Sequence, residues 1–398
     1  MKTLKILLYN SGEIFTDNLT GGIRRFRELA YYLASGKLKV NGIRVDSDLC
    51  CADDQKILRK YGLVSAYQMR GNTGKPFILP ELQRYALNKN VLREIRDAKY
   101  DAVVVFDVPQ AIGLCLAGIA NIVLMIRKDM IGYEVINSSR NRGIKKRVKF
   151  ALQWVCEYIC LKRAMVIVCQ CKYDKKVLLR RHRVLAQKIK NNFVIQINNV
   201  NPSWICESSK VGDSGSDQYE NKLKVYFIGG FDNPRKGQDV FLDTAEQILK
   251  ERQDISFHLI GGGAGLEEYK RKYSCQDIQF LGRKESPINE LSRADLLVVP
   301  SFADSCPNTV LEGLYSHTPV IGSNAGGIPE ILMDRNALFE PNSNSLKKKI
   351  IELADDGEKI RCLVHKQEKR KSQLEFNWAQ IILTRALEKR PNDETGNG

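Results

Sequence analysis

The stretch LLVVPSFADSCPNTVLEGLYSHTPVIGSNAGGIPEIL, from Leu296 to Leu332, admits few folds. It reads as a buried strand over residues 296–300, a polar loop, a short helix and a second strand over 319–321. A glycine pair and Pro329-Glu330 follow. Two strands joined through a helix pair in parallel, and a parallel sheet needs helices on its faces. Asp304 falls in the loop and Glu312 on the helix, with seven residues between them. A loop entering a helix at the carboxyl end of such a strand points unpaired N–H groups and the positive end of the helix dipole outward. Ser305, Pro307, Asn308 and Thr309 line that entry. A carboxylate one turn into the helix can accept hydrogen bonds from a vicinal diol such as a ribose. Phosphates plus a diol describe a nucleotide-sugar.

The same alternation runs along the whole chain. Strands are expected at residues 4–9, 42–45, 102–106, 122–126, 166–169 and 193–197, with helices over 23–34 and 81–98. Strands resume at 224–228, 256–260, 278–280 and 296–299. Between the two sets lies ESSKVGDSGSDQYEN, polar and without periodicity, which reads as a linker. A length of 398 residues also suits two domains. The expected class is therefore α/β, with two doubly wound parallel-sheet domains. They are placed at 1–205 and 223–375, around a linker at 206–222. A helix at 376–390 and a disordered tail at 391–398 complete the chain.

Charge is unevenly spread. Residues 1–200 hold 36 Lys and Arg against 16 Asp and Glu, whereas residues 201–398 hold 26 against 30. The first half therefore meets something anionic, such as a membrane surface. Residues 145–162 combine bases with Val148, Phe150, Trp154, Val155 and Tyr158. They suit an interfacial helix or, equally, a core-facing helix with a basic outer side. Charge alone would also fit a non-enzymatic binder of nucleic acid or anionic membrane through residues 1–200. No groove-reading helix or aromatic-basic RNA motif accompanies it, so no nucleic-acid partner is expected.

Eleven cysteines, an odd number, show no metal-ligand spacing, which suits reduced structural thiols in a cytosolic compartment. The apolar start is too short for a signal peptide, and no uncharged apolar run can span a bilayer. Any membrane contact is expected to be peripheral, on the inner face. Asp46-Ser47-Asp48 spells a two-carboxylate pattern that binds manganese in another fold. Lying far from the other candidate elements, it is read as a polar loop after the strand, and no metal is expected.

Three more elements have phosphate-type chemistry. Gly229 to Gly237 (GGFDNPRKG) follows a strand and precedes a helix, and Arg235 and Lys236 can neutralise a diphosphate there. Gly261 to Gly265 (GGGAG), which includes Gly262 and Gly263, follows the next strand; alone, this turn is a weak signal and would equally suit a dinucleotide site. Gly21-Gly22 precedes a helix carrying Arg24 and Arg25, and fits either a tight turn or a close phosphate approach.

Asp304, Glu312 and Gly326-Gly327-Ile328-Pro329-Glu330 together resemble the donor-site signature of family 4 glycosyltransferases, whose fold is GT-B. That resemblance implies two Rossmann-like domains facing a cleft, with the acceptor on the first and a nucleoside-diphosphate sugar of UDP or GDP type on the second. It implies retention of anomeric configuration by a metal-independent, front-face reaction, with no cofactor. The acceptor would be a saccharide or a lipid-linked one in cell-surface glycan synthesis. Asp304 takes the place of the family's first glutamate, near the donor sugar, and Glu312 that of the second, on the ribose. Lys236 and Arg235 take the diphosphate roles, and Arg283 and Lys284 lie where the family contacts the base. Phe231 replaces an arginine of the family pattern, and Arg127, Lys128 and Asp129 stand where a histidine is usual. Arg127 is accordingly the candidate catalytic residue of the first domain. Phe376-Asn377-Trp378 resembles the family's segment that crosses back onto that domain.

Overall fold

The computed structural model describes residues 3–15, 21–70, 80–137, 144–200, 222–284 and 287–389. Two compact units emerge: one of residues 1–131, 140–196 and 377–398, the other of 132–139 and 197–376.

In the first unit the strands are β1 (Leu4–Tyr9), β2 (Lys39–Val40), β3 (Ile43–Cys51), β4 (Tyr67–Gln68), β5 (Ala102–Phe106), β6 (Ile122–Ile126), β7 (Ala164–Cys169) and β8 (Phe193–Ile195). Their order is β2-β3-β1-β5-β6-β7-β8, with β4 beside β3. All pairs are parallel except β2 with β3. Every residue of β5 and β6 is buried, as helices on both faces of a parallel sheet require. The chain runs from β1 to one side and returns to the other at β5, so the topological switch point lies between these two strands. Helix Trp378–Glu388 belongs to this unit. Its Trp378 ring lies 4.9 Å from the Arg25 guanidinium, which is buried and paired with Glu28 at 2.9 Å.

The second unit contains β9 (Leu223–Ile228), β10 (Ile255–Ile260), β11 (Ile278–Gly282), β12 (Leu296–Val299), β13 (Val320–Ser323) and β14 (Leu338–Phe339). All are parallel, in the order β11-β10-β9-β12-β13-β14. The switch point here lies between β9 and β12. An apolar core that includes Phe227, Phe241, Phe257, Leu297 and Val310 fills the faces of this sheet.

Several boundaries differ from the sequence reading. The Asp46-Ser47-Asp48 pattern lies inside β3, not in a loop after it, because β3 continues to Cys51 in register with β1. Asp48 accepts a hydrogen bond from the Tyr100 hydroxyl at 2.6 Å. The single helix expected over 81–98 is two, Pro80–Leu87 and Lys89–Asp97. The break falls at Asn88, whose side chain bonds the Arg70 N–H at 2.7 Å and the Arg84 carbonyl at 2.8 Å. β13 covers Val320–Ser323, not 319–321, since Pro319 has no N–H for a ladder. Apart from Lys222, the expected linker lies outside the described residues, as does the expected disordered tail.

Candidate functional site

The loops after β9 and β12 meet at the second unit's switch point. After β9 the chain turns through Gly229–Asn233 into a short 3-10 turn, Pro234–Lys236, and then helix Gln238–Leu249. Gly237 joins the two at φ +76°, and a Cβ there would collide with the Pro300 carbonyl oxygen. Only glycine fits both demands. The Phe302 N–H donates to the Arg235 carbonyl at 2.8 Å, and Arg235 Nη1 donates to the Ala303 carbonyl at 3.2 Å. The basic turn is thereby fastened to the loop that carries Asp304.

Asp304 receives both cations. Its Oδ2 accepts from Lys236 Nζ at 2.6 Å and from Arg235 Nη1 at 2.9 Å. The three side chains are 12%, 20% and 15% exposed, respectively. Burial pushes the Asp304 carboxyl up, but the Lys236 and Arg235 charges outweigh it and hold the group below the usual carboxylate value.

Helix Asn308–Tyr315 starts immediately beyond, with Pro307 at its N-cap position and no side-chain cap. A helix start of this kind, here with Asn308 and Thr309 in its first turn, is suited to an anion. Ser305 is buried at the entry. Glu312 stands on the second turn and is 9% exposed. Gly313 lets this helix close on the sheet, because a Cβ would come within 2.5 Å of Val320 and 2.7 Å of Leu297.

The glycine turn after β10 packs on the turn after β9. Phe231 N–H donates to the Gly262 carbonyl at 3.0 Å, and the Ala264 N–H donates to Asp232. A Cβ at Gly263 would collide with that carboxylate. Asp232 was not legible as a partner of this turn. Phe231 is buried against Phe227, Tyr269 and Phe280, so position 231 points into the core and takes no part in anion binding. Arg283 is exposed after β11, while Lys284 pairs with Glu290 at 3.1 Å.

The first unit brings Arg127 and Gly22 together. Arg127 follows β6, and Asp107 follows β5 in a left-handed conformation, φ +57°. The Asp107 carboxylate accepts from the Arg127 N–H at 2.9 Å, Nε at 3.0 Å and Nη2 at 2.5 Å. This lays the guanidinium where a Cβ on Gly22 would stand, against the first turn of helix Gly21–Ala34. Sequence reading missed Asp107, which directly follows the wholly apolar strand β5 and opens the next helix.

Residues 222–356 match the family described as Glycosyl transferases group 1. An uncharacterised glycosyltransferase of Methanocaldococcus jannaschii is 30% identical over 225 residues, 54% of this chain and 57% of that protein. The matched region thus spans less than two thirds of the relative. Sucrose-phosphate synthase from Thermosynechococcus elongatus superposes with TM-score 0.74 at 17% identity, over 98% of each chain. Anabaena HepE in complex with UDP-glucose superposes with TM-score 0.65 at 15% identity, over 97% of this chain and 98% of that one. The chain has the GT-B fold, and its second unit carries the match to group 1 glycosyltransferases.

Proposed function

We propose that the protein is a family 4 retaining glycosyltransferase that moves a sugar from a nucleoside-diphosphate sugar to a saccharide or lipid-linked acceptor. The observation that carries this reading is the meeting of Arg235, Lys236 and Asp304 at a switch point, beside an uncapped helix bearing Glu312. Arg235, Lys236 and the helix start neutralise the diphosphate, Glu312 accepts from the ribose, and Arg283 and Lys284 flank the base. Gly262 and Gly263 bring the backbone near the nucleotide. The reaction breaks the bond from the anomeric carbon to the diphosphate oxygen and forms one to the acceptor oxygen on the same face. The acceptor proton passes to the departing diphosphate oxygen. With two side-chain cations on the leaving group, the reaction needs no metal ion. In the first unit Gly21 and Gly22 let the acceptor and the donor phosphate approach the backbone closely, and Arg127 is the catalytic candidate. The donor class is supported by the UDP-glucose complex of the structural neighbour HepE.

The test is NMR of the purified protein with UDP- and GDP-sugars. Slow hydrolysis with the anomeric configuration retained, lost in Lys236→Ala, supports the reading; inversion refutes the mechanism.

The partner surface is proposed to be an anionic membrane, with the protein cytoplasmic and peripheral. An open surface depression is lined by Lys172, Lys175, Lys176, Leu179 and Arg180 of helix Lys172–Arg181 and by Arg183, which starts the next helix. Trp154 and Val155 are exposed on helix Ile144–Arg163. Among the described residues no helix is long and apolar enough to cross a membrane. Lys175→Glu with Arg180→Glu should weaken binding to phosphatidylglycerol vesicles, and wild-type binding should fall with salt. Unchanged vesicle binding in the double variant would place the contact elsewhere.

A further inference from the structure

We propose that Asp304 is an internal counter-anion that sets the site against the product nucleoside diphosphate while tolerating the sugar-bearing donor. The inference rests on the nucleotide-sugar reading above. Its starting point is that both ion pairs fall on one oxygen, Oδ2, at 2.6 and 2.9 Å. A diphosphate held by Lys236 and Arg235 must therefore lie beside a carboxylate held by the same two groups. The three side chains are largely buried, so solvent and salt screen this proximity weakly.

The backbone of Asp304 is held in place. The Gly327 N–H donates to its carbonyl at 2.8 Å, and Gly326 packs against its backbone so closely that a Cβ would collide with it. The Asp304 Oδ1 atom has no hydrogen-bond partner among the described residues. It can accept from a hydroxyl of the donor sugar.

The donor and product differ at that end of the diphosphate. In the donor each phosphate carries one ester and one anhydride bond and a single charge. When the sugar leaves, the outer phosphate becomes a terminal group, held only by its anhydride bond and mostly doubly charged at neutral pH. The added charge arises next to Asp304 just as the sugar hydroxyl is lost. Repulsion then favours release of the nucleoside diphosphate.

Calorimetry on the full chain tests this with UDP and UDP-glucose, and with GDP and GDP-mannose. Asp304→Asn keeps the shape and removes the charge. It should bind the preferred nucleoside diphosphate about tenfold tighter, and its sugar nucleotide within about threefold of wild type. Asp304→Glu, which keeps a carboxylate, should retain the wild-type preference. A readout free of substitutions is the β-methyl ester of the preferred diphosphate, which lacks the extra charge. Wild-type protein should bind it tighter than the free diphosphate.

If Asp304→Asn binds the diphosphate no tighter while Lys236→Ala abolishes binding, the counter-anion role fails and the nucleotide-sugar reading stands. An ester that binds wild type more weakly than the free diphosphate has the same meaning. If Lys236→Ala binds as wild type does, or wild type binds none of the nucleotides, both fail.

Discussion

Gly326 lies against the backbone of Asp304 in a left-handed conformation, φ +59°, where a Cβ would collide with the Asp304 carbonyl oxygen. The glycine pair after β13 therefore acts on the loop after β12: Gly326 permits the close approach, and Gly327 bonds the Asp304 carbonyl. Gly326→Ala meets both the conformational penalty and the collision. A loss of about 2 kcal/mol or more in urea unfolding is expected, with a larger proportional loss of nucleotide affinity. Wild-type values for both would mean that the loop tolerates displacement.

Arg127 owes its position to Asp107, through three hydrogen bonds. Lysine cannot reproduce the planar fork that joins Nε and Nη2 to one carboxylate oxygen. Arg127→Lys should lower transfer by about tenfold or more. Nucleotide affinity, a property of the second unit, should stay within about twofold. A wild-type rate in steady-state assays would make Arg127 a structural residue.

The folded-state value of the Asp304 carboxyl lies below its unfolded value, because Lys236 and Arg235 outweigh the opposing effect of burial. The unfolded chain thus binds the proton more readily. The stabilisation is present above the ordinary carboxylate value of about 4 and is lost as pH falls through the lower folded value. Urea midpoints measured downward from pH 6 should fall more steeply for wild type than for Asp304→Asn. Parallel curves would show that the ion pairs contribute no pH dependence.

Cysteine accessibility tests the burial of the thiols. Burial raises Cys51 to about 12, whereas Cys275 and Cys362 are exposed. Brief alkylation of the native protein at pH 8 should label Cys275 and Cys362 and leave Cys51 unmodified. Rapid labelling of Cys51, read by peptide mass spectrometry, would contradict the packing of β3.

The alternation of apolar runs with helices made both parallel sheets legible, because strands buried on two faces leave unbroken Val, Ile and Leu runs. The placement of Asp304, Glu312, Arg235 and Lys236 was legible for a related reason: they follow such strands at places where loops enter helices. The contact of Asp304 with Arg235 and Lys236 was not, since it depends on strand order, and β9 and β12 are neighbours despite two intervening strands. Asp107 and Asp232 escaped notice because each meets its partner across the fold, without a local pattern. The Asp46-Ser47-Asp48 segment misled because polar side chains on an outer face imitate a loop, while the register with β1 makes it strand.

The central claim is that the second unit holds a nucleoside diphosphate between Lys236, Arg235 and Glu312. A thermal-shift screen of the purified protein against UDP, GDP, ADP and CMP tests it most directly, since ligand bound only to the native state raises its apparent stability. The expected result is a concentration-dependent shift with UDP or GDP that disappears in Glu312→Ala and in Lys236→Ala. A shift of equal size in both variants, or none with any of the four at millimolar concentration, would contradict the account.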